Sequence, residues 1–136
     1  MDPRVALTSA RNPKTSSDEL AELARSEFAP IREMVARHPN TDATTLAHLA
    51  PPDLGTDTYR SLAFTLAANP NTPATPLVDL LQRIDPKTLD GSTRPNAVYE
   101  ALAIAITRHR NLPEESVAAL LSQPEICERV RLQIGR

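Results

Sequence analysis

Four times along this chain a short corner of the form Asn/His-Pro-x-Thr leads into leucines at helical spacing, and this recurrence constrains the fold more than any other feature. The corners are NPKT (Asn12 to Thr15), HPNT (His38 to Thr41), NPNT (Asn69 to Thr72) and a degenerate HRNL (His109 to Leu112). We number each unit from the second corner residue: Pro13, Pro39, Pro70 or Arg110. Ten residues after it comes Leu23, Leu49, Leu80 or Leu120; seven after, Leu20, Leu46, Leu77 or Val117; eleven after, Ala24, Ala50, Leu81 or Leu121. Offsets of 7, 10 and 11 share one face of a helix, so each corner opens a short amphipathic helix. Upstream, Val5, Ile31, Leu62 and Leu102 lie eight before the reference residue, and Ser9, Val35, Leu66 and Ile106 four before. That is a second helix per unit, ending at the Asn or His. Phe28, Tyr59 and Tyr99 share the position eleven before and are expected in the core.

The corner has a physical logic. Proline disfavours helix in the residue before it and offers no N–H, so the upstream helix stops there. Thr15, Thr41 and Thr72 are placed to cap the next helix with a side-chain oxygen, and Pro73 and Pro113 suit a first helical position, where no N–H is needed. Such units bury their apolar faces only against neighbours, which predicts an all-α helical-repeat solenoid without strands. The boundaries are approximately 1–26, 27–54, 55–84 and 97–124, with a half-repeat at 125–136, all in one domain spanning 1–136. In the half-repeat Val130 and Ile134 take the apolar positions and Cys127 the aromatic one. Either this half-repeat caps the array or the chain is part of a longer protein. The corners are 26, 31 and 40 residues apart, so residues 82–97 form an insertion loop in the third interval.

Composition agrees with such a fold. Thirteen prolines against three glycines argue for frequent helix starts and stops and against hairpins or phosphate-cradling loops. A net charge of -2 gives no global field for nucleic acid or acidic membranes, and no run approaches the roughly 18 apolar residues of a membrane span. The first residues, MDPRVALTSARNP, do not read as a secretory signal. Cys127 is the single cysteine, so no disulfide forms within the chain and a reducing cytoplasm is the expected compartment. Thirteen of the fifteen basic residues are arginine; with abundant Ala and Pro this suggests a GC-rich bacterial genome.

The segments VARHPNTDATTLAHLA and LAANPNTPATPLVDLL resemble the leucine-rich repeat variant, a bacterial repeat with a VRxxVAxNPxTPxxLLxxLA pattern. The resemblance covers nearly the whole chain and is carried best by the second and third units. It implies alternating α- and 3₁₀-helices in a right-handed superhelix, with the leucine half the shorter or tighter one. The fourth unit departs from the pattern at His109, Arg110 and Leu112. One member of that family carries an iron–sulfur cluster in a cysteine-bearing segment; Cys127 alone cannot supply one, so no cofactor is carried over. The family as a whole implies binding rather than catalysis.

Two sets of residues are candidates for contact with a partner. Arg11, Arg37 and Arg108, with Arg136 in the projected fifth place, lie two before the reference residue, where the third unit has Ala68. Stacked units would set these arginines in a ladder suited to carboxylates or phosphates. The structural reading is that each sits in a helix's last turn, where a cation complements the dipole. The insertion supplies Asp85, Lys87, Asp90 and Arg94, and long loops in compact repeats are often functional; the alternative is a tolerated surface insertion.

His38, His48 and His109 lack metal-ligand spacing. Acid pairs such as Glu114–Glu115 read as helix-start charges. Cys127 is expected to be buried. The expected function is therefore a non-catalytic interaction or scaffold domain, its partner another protein or another domain of the same polypeptide, with no cofactor, metal or membrane role. Nucleic-acid binding through the arginines is the alternative, with few stacking aromatics to support it. A helical-repeat enzyme acting on a base is the third reading, and it lacks the aromatic pocket such chemistry needs.

Overall fold

The computed structural model describes residues 3–89 and 97–134. Among these residues it is all-α, with nine α-helices, one 3₁₀ turn and no strand. The helices are α1 (Pro3–Arg11), α2 (Ser17–Leu23), α3 (Ala29–Arg37), α4 (Ala43–His48), α5 (Asp57–Ala68), α6 (Ala74–Gln82), α7 (Ala97–Thr107), α8 (Glu114–Leu121) and α9 (Glu128–Ile134). The 3₁₀ turn spans Pro86–Leu89. No described helix is long and apolar enough to cross a membrane.

Helices of 6 to 12 residues are marginal by themselves, so packing must hold them. Each odd-numbered helix lies against the next, α1 on α3, α3 on α5, α5 on α7 and α7 on α9. Two of the even helices fill wedges between them, α2 touching both α1 and α3 and α6 both α5 and α7, while α4 lies on α6 and α8 on α9. Small residues on the odd helices, Ala36, Ala63, Ala67 and Ala103, are buried and allow close approach. The predicted leucine positions are inside: Leu20, Leu46, Leu77 and Leu80 are fully buried, and Leu23, Leu49 and Leu120 nearly so.

Several expectations are corrected. Thr15, Thr41 and Thr72 do not cap the following helix. Their hydroxyls turn back and donate to carbonyls six residues earlier, Ser9 (2.5 Å), Val35 (2.6 Å) and Leu66 (2.6 Å), tying off the end of the preceding helix. The N-caps lie one residue later: Ser16 Oγ accepts from the Glu19 N–H, and Asp42 Oδ1 from the Thr45 N–H at 2.8 Å. Those bonds, first from the backbone N–H and then from the Thr45 hydroxyl, hold the Asp42 carboxyl below its ordinary pKa of 3.8. Pro73 and Pro113 likewise occupy the N-cap rather than the first helical position. The leucine halves of all four units are short α-helices, and the 3₁₀ turn lies elsewhere.

Phe28 is 45% exposed, because it precedes α3 and stands outside the packed face, while Tyr59 and Tyr99 are half-buried. Cys127 is also half-buried, at the margin of the core. The insertion at 82–97 does not begin as a free loop. Ile84 and Leu89 are buried, the 3₁₀ turn packs on α7, and the Leu89 carbonyl accepts the Cys127 N–H at 2.9 Å.

Candidate functional site

The corners are joined to one another by side chains that reach across units. In the second corner the Asn40 N–H donates to His38 Nδ1 (3.0 Å), so the ring hydrogen sits on Nε2 and donates to the Asn12 carbonyl at 2.7 Å. In the third, the Asn71 N–H donates to Asn69 Oδ1, while Asn69 Nδ2 donates to the carbonyls of Ala36 (2.8 Å) and His38 (3.3 Å). In the fourth, His109 repeats the second: Nδ1 accepts from the Asn111 N–H, and Nε2 lies 2.8 Å from the Asn69 carbonyl. A second line runs beside the first. Asn40 Nδ2 donates to the Pro13 and Thr15 carbonyls, Asn71 Nδ2 to Pro39, and Asn111 Nδ2 to Pro70 and Thr72.

Each corner is thus its predecessor's hydrogen-bond partner, and the corners lie side by side along one edge. The fourth keeps this arrangement without proline. What specifies the corner is an Asn or His that accepts from the N–H two residues on and donates to the unit before. Sequence reasoning placed these residues at the corner but missed the reach across units. The usable signal was the Asn at positions 40, 71 and 111, each one residue past the reference.

The arginines fall on this edge. Arg11, Arg37 and Arg108 are exposed at the C-terminal ends of α1, α3 and α7. Arg37 pairs with Glu33 at 3.2 Å, and Arg108 donates to Gln133 of α9 at 3.3 Å. Glu33 also accepts from Ser61 Oγ of α5 at 2.8 Å. Where the series lapses at Ala68, a shallow groove of about 560 Å³ opens, lined by Arg37, Pro39, Phe64, Thr65, Ala68 and Asn71. Lys14 and Arg110 are also exposed on the corner edge.

The two candidate sets do not form one site. Lys87 lies in the 3₁₀ turn and Asp85 immediately before it, beyond the C-terminus of α6, at the opposite end of the helix pairs. The α7 helix, with 11 residues at a rise of about 1.5 Å each, separates that end from the corners. Asp85 organises the turn: its carboxylate accepts the Lys87 N–H at 3.0 Å and its carbonyl the Thr88 hydroxyl at 2.6 Å. Asp90, Arg94 and Arg136 lie outside the described residues.

Three other arginines serve the structure and were not singled out in sequence. Arg32 donates to the Ser26 carbonyl, Arg60 to Leu54, and Arg131 to Ile126, Leu121 and Gln123, each clamping the connection before its own helix. Glu100, buried on α7, accepts from Arg129 of α9 at 2.7 Å and raises the pKa of that guanidinium, chiefly through the hydrogen bond. Among the described residues no three His, Cys, Asp or Glu side chains gather as a metal site would require. The chain matches no family model, no curated protein and no solved structure.

Proposed function

We propose that the chain is a non-catalytic interaction module, a helical-repeat solenoid of about four and a half units of the leucine-rich repeat variant type. Its partner is a protein surface, or another domain of the same polypeptide, that presents carboxylates to the corner edge. The observation that carries this reading is the exposed series Arg11, Arg37 and Arg108 on an edge whose corners are cross-bonded unit to unit. A stiff edge holds the backbone positions of these arginines in place, so little backbone ordering entropy is lost when a partner docks. Guanidiniums take carboxylates through paired N–H donors. The groove beside Ala68 adds apolar surface from Phe64, Pro39 and Pro70 next to Arg37.

The test is direct titration of the chain with an acidic peptide, a duplex DNA and a single-stranded RNA, alongside affinity capture from the native cell. Each is repeated with Arg11, Arg37 and Arg108 changed together to Ala. The reading expects peptide binding and a specific captured protein, both lost in the triple variant. Nucleic-acid binding that falls steeply with salt would replace this reading with the alternative. Binding unchanged in the triple variant would refute the edge.

A further inference from the structure

The third unit departs from the repeat at two positions that meet in space. Two before the reference residue, where other units have Arg11, Arg37 and Arg108, it has Ala68; six before, where they have Leu7, Glu33 and Ile104, it has Phe64. Phe64 and Ala68 are one turn apart on one face of α5, so an arginine at 68 would lie over the ring. With alanine there, the half-buried Phe64 lines the groove of about 560 Å³ together with Pro39 and Pro70. The groove is preformed, because the buried Thr65 and Asn69 in its lining bond the Ser61 and Ala36 carbonyls at 3.1 and 2.8 Å. Guanidiniums bear on it from the units on either side. Arg37 lines it, giving Glu33 an N–H at 3.2 Å while its side chain stays 64% exposed. Arg110 donates to the Pro70 carbonyl at 3.2 Å, a neutral acceptor that leaves its charge in place. Among the described residues that line the groove there is no carboxylate, and Glu33 is held beside it by Ser61 and Thr65.

We propose that this groove seats one large apolar side chain, an aromatic ring above all, from an extended acidic segment of the partner protein, and that Arg37 and Arg110 take carboxylates on either side of that residue. The inference rests on the reading of the corner edge as a surface for carboxylates, and adds to it the residue that anchors the segment. The volume lies within the range of sites that enclose a ligand group. A ring there would meet the edge or face of Phe64 and the two proline rings, and such anchors in pockets carry much of the energy of an interface. Charge complementarity sets the neighbours. Packed helices lie about 10 Å apart, and an extended chain rises about 3.3 Å per residue. One step between corners therefore spans about three residues, which places the acids within about three residues of the anchor.

The experiment is fluorescence anisotropy on the full chain with two labelled peptides of equal length and charge. Each has an aspartate three residues before and three after a central residue, which is phenylalanine in one and serine in the other. The wild type should bind the phenylalanine peptide about tenfold more tightly, the worth of partly burying one such side chain. Ala68→Arg puts back the residue found at this position in three other units, at an exposed site, so circular dichroism should show it as helical as the wild type. It should lower the affinity for the phenylalanine peptide to that for the serine peptide, although it adds a positive charge; charge attraction alone expects the reverse. Arg110→Ala should weaken the phenylalanine peptide about fivefold, the upper end for an exposed ion pair. The serine peptide reads the arginine edge by itself. Equal affinity of the wild type for the two peptides would overturn the groove and leave the edge standing, and binding of neither would overturn both. A preference for phenylalanine that survives Ala68→Arg would place the anchor elsewhere and overturn the groove. A wild type that dimerises in sedimentation without peptide, when Ala68→Arg does not, would give the groove to a second copy of the chain and overturn the acidic segment.

Discussion

Asn69→Ala tests the cross-unit corner most directly. The side chain is 5% exposed and makes three bonds: it donates to the Ala36 carbonyl at 2.8 Å and the His38 carbonyl at 3.3 Å, and accepts the Asn71 N–H at 2.9 Å. Two of these bonds cross from the third unit to the second. The His38 carbonyl keeps the Thr41 N–H as a second donor, so the Ala36 carbonyl, near the end of α3, suffers most. Lost net bonding at about 1 kcal/mol each, with a buried carbonyl left short of a partner, gives a cost of about 3 kcal/mol. For 136 residues that lowers Tm by roughly 10 °C. Urea unfolding followed by far-UV circular dichroism should show the midpoint fall with the slope unchanged. Asn69→His provides the control. A ring there can accept from Asn71 and donate to the His38 carbonyl, as His38 and His109 do in their own corners, and forgoes only Ala36, so it should cost about 1 kcal/mol. Asn71→Ala removes one exposed bond to Pro39 and should cost less than about 1 kcal/mol. If Asn69→Ala costs no more than Asn71→Ala, the corner is set by proline and local turn geometry, and the cross-unit argument fails.

Leu89→Ala empties a fully buried position under the insertion and should cost about 2–5 kcal/mol by urea unfolding, whereas Lys87→Ala in the same turn should stay within about 0.5 kcal/mol. Arg131→Met keeps the hydrocarbon but frees three carbonyls, and should cost about 2 kcal/mol, against about 0.5 kcal/mol or less for Arg11→Ala. Asp42→Ala should cost about 1 kcal/mol near neutral pH, the usual value of an N-cap. Because folding lowers the Asp42 pKa, its ionic contribution is full above the ordinary value of 3.8 and is lost as pH falls through the lower folded value. The stability gap between wild type and Asp42→Ala, measured by urea unfolding down the acid range, should therefore narrow below about pH 4.

Much of the architecture could be read because its signals are local. Leu20 and Leu23, or Leu77 and Leu80, are helix neighbours by spacing alone, and a residue ahead of proline leaves the helical region for steric reasons within the dipeptide. The helix ends at Arg11, Arg37 and Ala68 follow from that. The cap shift from Thr15 to Ser16 and from Thr41 to Asp42 was not legible. Both neighbours can cap, and the choice fell to the hydroxyl that could reach the helix behind it. Of the candidate site, Arg11, Arg37 and Arg108 could be placed on one edge by counting. That Asp85 and Lys87 belong to the opposite end could not, since it depends on which end of α6 and α7 each connection joins.

The order of residues by itself determined where the helices ahead of the prolines stop and which helix faces carry the leucines, because each of these is decided by atoms a few bonds or one helical turn apart. The tertiary structure alone decided that Asn69 speaks to Ala36 and His38, that His109 does for the fourth corner what proline does not, that Leu89 is core while Phe28 is surface, and that Arg131 rather than Arg11 braces the fold. The Asn69 and His109 bonds join groups 31 to 40 residues apart, brought within hydrogen-bond reach only when one helix pair packs on the next.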